Sequence, residues 1–174
     1  MAMQMLEAAG VDIVTDGVRE AGEDNPKGYF EDERVKDLHD DSHGREWLLG
    51  SRGKAVKIVS FFLKDLPKTN NYKVIFMRRE LPEVLQSQQK MLERRGEPDD
   101  TDDERMFDLW KDHLWKVNYL LKHADHLESI EIAYRDVVSE PLAQARRINT
   151  FVSGGLDVEK MAAVVDKKLY RNRS

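Results

Sequence analysis

The chain has 174 residues, 40% of them hydrophobic and 35% charged, which is about one domain's worth of sequence with enough apolar material to close a core, so wholesale disorder is excluded. Its longest apolar runs are short, Val56 to Phe62 being broken by Lys57 and Ser60, which excludes a secretory signal or a membrane span of about 20 residues and reads as cytoplasmic. The absence of cysteine removes disulfides, thiolate zinc sites and a cysteine nucleophile, and a formal charge of -5 argues against sequence-independent nucleic-acid binding, which needs a basic surface.

In chain order, Met1 to Ala9 has helical propensity and stops at Gly10, but it has no capping residue and no strand before it. In a parallel α/β domain such a helix follows a strand and a loop, so this sequence is expected to lack its first strand and first turn. Val11 to Thr15 is β-branched and too short for a helix core, and so is Lys54 to Ser60; both read as strands. Tyr72 to Arg78 is a third strand. Pro82 then stands where a first-turn proline belongs, and Val84, Leu85, Gln88, Met91 and Leu92 carry a helix to the stop at Gly96. Thr101, Asp102, Asp103 and Glu104 form a capping box for a helix running to about Lys122, with Met106, Trp110, Leu114, Val117 and Leu121 on one stripe. Ser129 to Tyr134 is the fourth strand. Pro141 opens a helix that Gly154 and Gly155 end, and Asp157 caps a last one through Val165. With helical spacing between short strands, the economical architecture is one α/β domain over residues 1–174. Its core is a parallel sheet of about four strands with flanking helices.

The chemistry concentrates after the third strand. Arg78 and Arg79 stand at its carboxyl end, where open α/β sheets bind ligands, and the following helix start adds oriented N–H donors suited to phosphate. Arg79 is the candidate phosphate clamp. The alternative is that either arginine pairs with Glu80, Glu83 or a neighbouring carboxylate. Two histidine groupings, His39 with His43 and His123 with Asp125 and His126, lack a third ligand at useful spacing and are not read as metal sites. Asp99 to Glu104 lacks the glycine and terminal glutamate of a calcium loop and reads as a solvated helix entrance.

Arg79 followed eight positions later by Ser87, across a strand-to-helix junction, resembles the 3′-phosphate-binding element of the sulfotransferase family, which uses 3′-phosphoadenosine 5′-phosphosulfate as sulfuryl donor. Asn25 to Glu31 (Asn-Pro-Lys-Gly-Tyr-Phe-Glu) and Leu169 to Arg173 resemble segments of the family's bacterial branch. Met3 to Ala8 resembles the helix that follows its phosphosulfate-binding loop. The resemblance covers nearly the whole chain, and it implies a P-loop-like nucleotide-kinase fold. It also implies that Arg79 and Ser87 hold the donor's 3′-phosphate, that Tyr134 packs near the adenine, that Arg171 with Arg173 covers the phosphate, and that Lys57 stands beside the transferring group. Each has a plain alternative: a surface serine, a core aromatic, arginines at an exposed terminus. The family's histidine base falls at Val59, which accepts no proton, so another group must act; Asp16, Glu20 and Glu31 lie in polar segments of plausible reach.

The family's first strand and phosphosulfate loop have no counterpart in this sequence. In the order the resemblance implies, that strand separates Lys54 to Ser60 from Tyr72 to Arg78, so these two strands are expected to slide together, or the slot to be filled by another segment or chain, giving a homo-oligomer through the open sheet. The full-length form is expected to transfer a sulfuryl group to a hydroxyl or amine, with this chain impaired. The alternative is a non-catalytic remnant that binds adenosine 3′,5′-bisphosphate weakly or a protein partner. No metal is expected, the acceptor is not legible, and the absence of a Gly-x-x-x-x-Gly-Lys motif argues against a nucleotide kinase.

Overall fold

The computed structural model describes residues 1–18, 28–40, 44–96 and 103–166. Its elements are helix α1 (Ala2–Ala8), strand β1 (Ile13–Val14), 3-10 turns at Glu33–His39 and Glu46–Ser51, strand β2 (Ala55–Val56), a 3-10 turn at Ser60–Asp65, strand β3 (Tyr72–Arg78), helices α2 (Leu81–Arg95) and α3 (Asp103–His123), strand β4 (Leu127–Ala133), and helices α4 (Tyr134–Ser139), α5 (Pro141–Phe151) and α6 (Val158–Ala163). Among the described residues no helix is long and apolar enough to cross a membrane.

The punctuation of the sequence is largely kept. Helix α1 has no side-chain cap and ends where Gly10 takes φ +86°, with Gly10 N–H donating to Glu7 and Val11 N–H to Leu6. That paired closure needs a left-handed residue, which glycine supplies without a Cβ penalty. Pro141 opens α5 and the Asp157 carboxylate caps α6 by accepting from Lys160 N–H at 3.0 Å. The end of α5 begins one residue early: Ser153 (φ +86°) is its first left-handed residue, followed by the expected Gly154 (φ +82°) and Gly155 (φ +88°), with Gly154 N–H donating to the Asn149 carbonyl at 2.7 Å. Thr101 and Asp102 of the expected capping box lie outside the described residues.

All four expected strands are present, but they are bonded as two parallel pairs and not as one sheet. β1 pairs with β2, Ile13 opposite Ala55; β3 pairs with β4 from Tyr72 opposite Leu127 to Arg78 opposite Ala133. β2 and β3 neither slide together nor share a ladder. The first two strands are also shorter than expected. The Thr15 hydroxyl donates to the Glu31 carbonyl at 3.0 Å, and Phe62 N–H closes a turn on Val59 at 2.9 Å, so both chains leave the ladder early. Tyr134 begins α4 and does not end β4.

Two apolar clusters sandwich these strands. On one side Met5 and Leu6 of α1 meet Ile132, Val137, Ala145, Ile148 and Met161, and Ile13, Ala55, Ile75, Met77 and Ile130 pack against them. On the other, Val35, Leu38, Leu48, Leu63, Leu66 and Val117 gather with Leu127, joined by Val56, Ile58, Tyr72, Val74 and Phe76. Successive residues of a strand point to opposite faces, so the two ladders occupy one layer between helices α1, α5 and α6 and the layer of α3 with the 3-10 turns. Ile148 is fully buried, and truncating it to alanine is expected to cost about 2–5 kcal/mol.

Candidate functional site

Register assembles the site. Because Arg78 stands opposite Ala133, the next residues of the two chains, Arg79 and Tyr134, emerge side by side at the carboxyl ends of β3 and β4. The Arg79 guanidinium carbon lies 4.9 Å from the Tyr134 ring centroid. Two residues further on α2 begins, and its first turn carries the buried Glu83, whose Oε2 is 3.6 Å from Arg79 Nε. At that distance the pair attracts but forms no hydrogen bond, and Arg79 Nε is buried without a hydrogen-bond partner. A buried donor left unsatisfied costs about 1–3 kcal/mol, so the group gains from any acceptor that reaches it. Burial raises the pKa of the Tyr134 hydroxyl; the Arg79 charge opposes that rise and Glu83 adds to it.

Arg78 turns elsewhere. Its Nη1 lies 3.8 Å from Glu131 Oε2 and is likewise buried without a hydrogen bond. Both arginines therefore have carboxylate neighbours, as the plain reading of the sequence allows, through Glu83 and Glu131. Ser87 is half-buried on α2, and its hydroxyl has no hydrogen-bond partner among the described residues. Arg171 and Arg173 lie outside the described residues.

The second cation is held by two hydrogen bonds. Lys57 Nζ donates to the Tyr29 carbonyl at 2.9 Å and to Glu31 Oε1 at 2.8 Å, and stands 6.0 Å from the Tyr29 ring centroid. The structure thus joins Lys57 to the described part of the segment from Asn25 to Glu31; Asn25, Pro26 and Lys27 lie outside it. Of the carboxylates considered as bases, Glu31 is held by Lys57. Asp16 accepts from Val18 N–H at 2.9 Å and Glu33 N–H at 2.6 Å, the work of a loop staple. Glu20 lies outside the described residues.

One pair escaped sequence reasoning. Ser60 Oγ and His113 Nε2 are 2.8 Å apart, joining the turn after β2 to α3 across 53 positions of sequence. Burial lowers the imidazole's pKa, only partly offset by Asp112, so a neutral ring is favoured. Phe61 stacks on it at 6.2 Å and Trp110 meets it edge-on at 5.8 Å. No linear spacing announces such a contact; the sole signal was a histidine on the same helix as the Trp110 stripe. The other histidines do local work. His39 Nδ1 contacts the Lys36 carbonyl, His123 Nδ1 the Tyr119 carbonyl, and His126 packs on Tyr72; His43 lies outside the described residues. Among the described residues no three His, Asp or Glu side chains gather to hold a metal.

No protein-family model, curated protein or solved structure matches this chain.

Proposed function

We propose that this chain is a sulfotransferase-type domain that binds the adenosine 3′,5′-bisphosphate portion of 3′-phosphoadenosine 5′-phosphosulfate, the donor from which a sulfuryl group passes to a hydroxyl or amine. The observation that carries the reading is Arg79: a guanidinium with a buried, unbonded Nε, at the carboxyl end of a parallel strand and the start of a helix, stacked over Tyr134. A phosphate oxygen would satisfy that donor with a charged hydrogen bond worth about 1.5–3 kcal/mol, and the tyrosine ring offers an apolar face for a purine. In this reading Ser87 adds a hydroxyl to the 3′-phosphate, Lys57 offsets charge developing at the bridging oxygen, and His113, neutral and bonded to Ser60 four residues past β2's end, is the proton acceptor that Val59 is not. The two strand pairs are then the flanks of one P-loop-like parallel sheet.

Calorimetric titration with adenosine 3′,5′-bisphosphate tests it. Arg79→Ala is expected to lower affinity about 10-fold or more, and Arg78→Ala by less than about 3-fold. Equal losses would mean diffuse charge and no clamp.

A second reading, a non-catalytic domain that binds the bisphosphate and transfers nothing, draws support from Lys57, two of whose three N–H donors are taken by Tyr29 and Glu31. An assay with radiolabelled donor and a phenol acceptor separates the two: turnover above the solution rate excludes the second.

A further inference from the structure

Helix α3 turns its expected stripe inward: Val117 is buried, and Met106, Trp110, Leu114 and Leu121 are half-buried. Its other side should then be polar, because the outward face of a helix on a globular protein is normally solvated. It is not. Leu109, Trp115 and Tyr119 are 55%, 65% and 57% exposed. The rings run together along the helix: Trp115 and Tyr119 stack with centroids 5.8 Å apart, and Tyr119 and His123 with centroids 4.1 Å apart, both at 24° between planes. His123 Nδ1 lies 2.7 Å from the Tyr119 carbonyl, which fixes the last ring. A ribbon of aromatic rings about two turns long is thus ordered in advance and left in water, and such side chains are the ones that interfaces favour.

Charge is sorted along the same side. Asp108 and Asp112 stand in the half before the centre of the ribbon, Lys116 and Lys122 in the half after it, and all four are exposed. Spacings of three and four residues set them beside the rings. In the first turn Glu104 and Arg105 offset one another. Within one chain these charges meet neighbours on the helix, Lys116 Nζ lying 2.7 Å from Asp112 Oδ2 and Lys111 Nζ 4.0 Å from Asp108 Oδ1. Exposed pairs of this kind contribute little and yield readily to another partner.

We infer that this side of α3 pairs antiparallel with the same side of α3 in a second copy of the chain, about a two-fold axis near Trp115 and Lys116. The order of the charges selects the occupant. Antiparallel pairing sets the acidic half of each helix against the basic half of the other, so that Asp108 comes opposite His123 and Lys122, Asp112 comes opposite the Tyr119 hydroxyl, and each Trp115 ring faces Lys116 of the other copy. Parallel pairing would set acid on acid. A nucleic acid stacked on the rings would bring its phosphates against Asp108 and Asp112, and a membrane surface favours bases on both sides of such a ribbon.

Sedimentation velocity over about 1–100 μM tests the inference, since a single helix face is at the small end of interfaces and associates in the micromolar range. The unaltered chain is expected to pass from monomer to dimer across that range. Trp115→Glu is expected to weaken association at least about 10-fold and, the residue being exposed, to leave the thermal melt unchanged. One double variant, Asp108→Lys with Asp112→Lys, makes the side basic throughout; another, Lys116→Asp with Lys122→Asp, makes it acidic throughout. Each alone is expected to stay monomeric, and the two mixed are expected to dimerise. An unaltered chain that is monomeric throughout would overturn the inference. So would a dimer that Trp115→Glu leaves intact, which places the contact on another surface such as the sheet edge, and so would double variants that self-associate like the unaltered chain or stay apart when mixed.

Discussion

Two strands of the same layer end in the same trio of side chains, a cation, a carboxylate and a tyrosine, and the two trios differ in what they leave undone. After β2, Lys57 is hydrogen-bonded to Glu31 and to the Tyr29 carbonyl at 2.8 and 2.9 Å. After β3, Arg79 stands 3.6 Å from Glu83 and over the Tyr134 ring, with its Nε buried and unbonded. A satisfied cation is a strut. An unsatisfied one, with a planar fork matched to phosphate, is a binding group in waiting. Position at a strand's carboxyl end is common to both; hydrogen-bond satisfaction is what separates them.

The sharpest break of this comparison is to remove each cation in turn. Lys57→Ala removes the hydrogen bonds to the Tyr29 carbonyl and to Glu31, and an unfolding free energy lower by about 1 kcal/mol or more is expected in denaturant melts, with bisphosphate affinity unchanged. Arg79→Ala is expected to show the reverse pattern, an affinity loss with little change in the melt. If Lys57→Ala removes binding and leaves stability intact, the roles are exchanged and the comparison fails.

Glu83 is the counterpart of Glu31, but it competes with a ligand for Arg79. Glu83→Gln keeps the shape and removes the charge, and titration is expected to show bisphosphate bound several-fold more tightly. Weaker binding would make Glu83 part of the cradle and not a competitor for it.

The smallest effect is a pH dependence on the Lys57 side, where Ser60 meets His113. Burial depresses the imidazole's pKa in the folded chain below its unfolded value of about 6.5, so the unfolded state binds the proton more readily. Above the unfolded value both states are neutral and nothing is at stake; as pH falls below it, stability is lost until the folded value is reached. Thermal melts from pH 7.5 to 5 are expected to show this fall, and His113→Gln is expected to flatten it. An unchanged slope in the variant would place the titrating group elsewhere.

Much of this was legible in the chain, and the failures have physical causes. The β-branched and aromatic run from Tyr72 to Arg78 marks a strand, and β3 spans those residues; Ser129 to Tyr134 marks β4, which begins two residues earlier at Leu127. Gly10, Pro141 and Asp157 placed their helix ends because each works through its own backbone or side chain within a few residues. Ser153 was missed because a serine in the left-handed region is held there by the turn around it and not by its own preference. Pairing between strands was not legible, since alternation fixes which way a residue faces and not which strand lies beside it. Arg79 and Tyr134 could each be placed at a strand's end, but their juxtaposition needs the β3–β4 pairing, just as the Ser60–His113 bond depends on how α3 crosses the turn after β2, which no local pattern encodes.

The central claim, that Arg79 is a clamp for a 3′-phosphate beside an adenine platform, is tested most directly by comparing two ligands on the unaltered chain. Adenosine 3′,5′-bisphosphate and adenosine 5′-monophosphate differ by that one phosphate. Titrated under identical salt, the bisphosphate is expected to bind at least about 10-fold more tightly, the worth of one charged hydrogen-bonded contact. Equal affinities, or heat from neither, would contradict it.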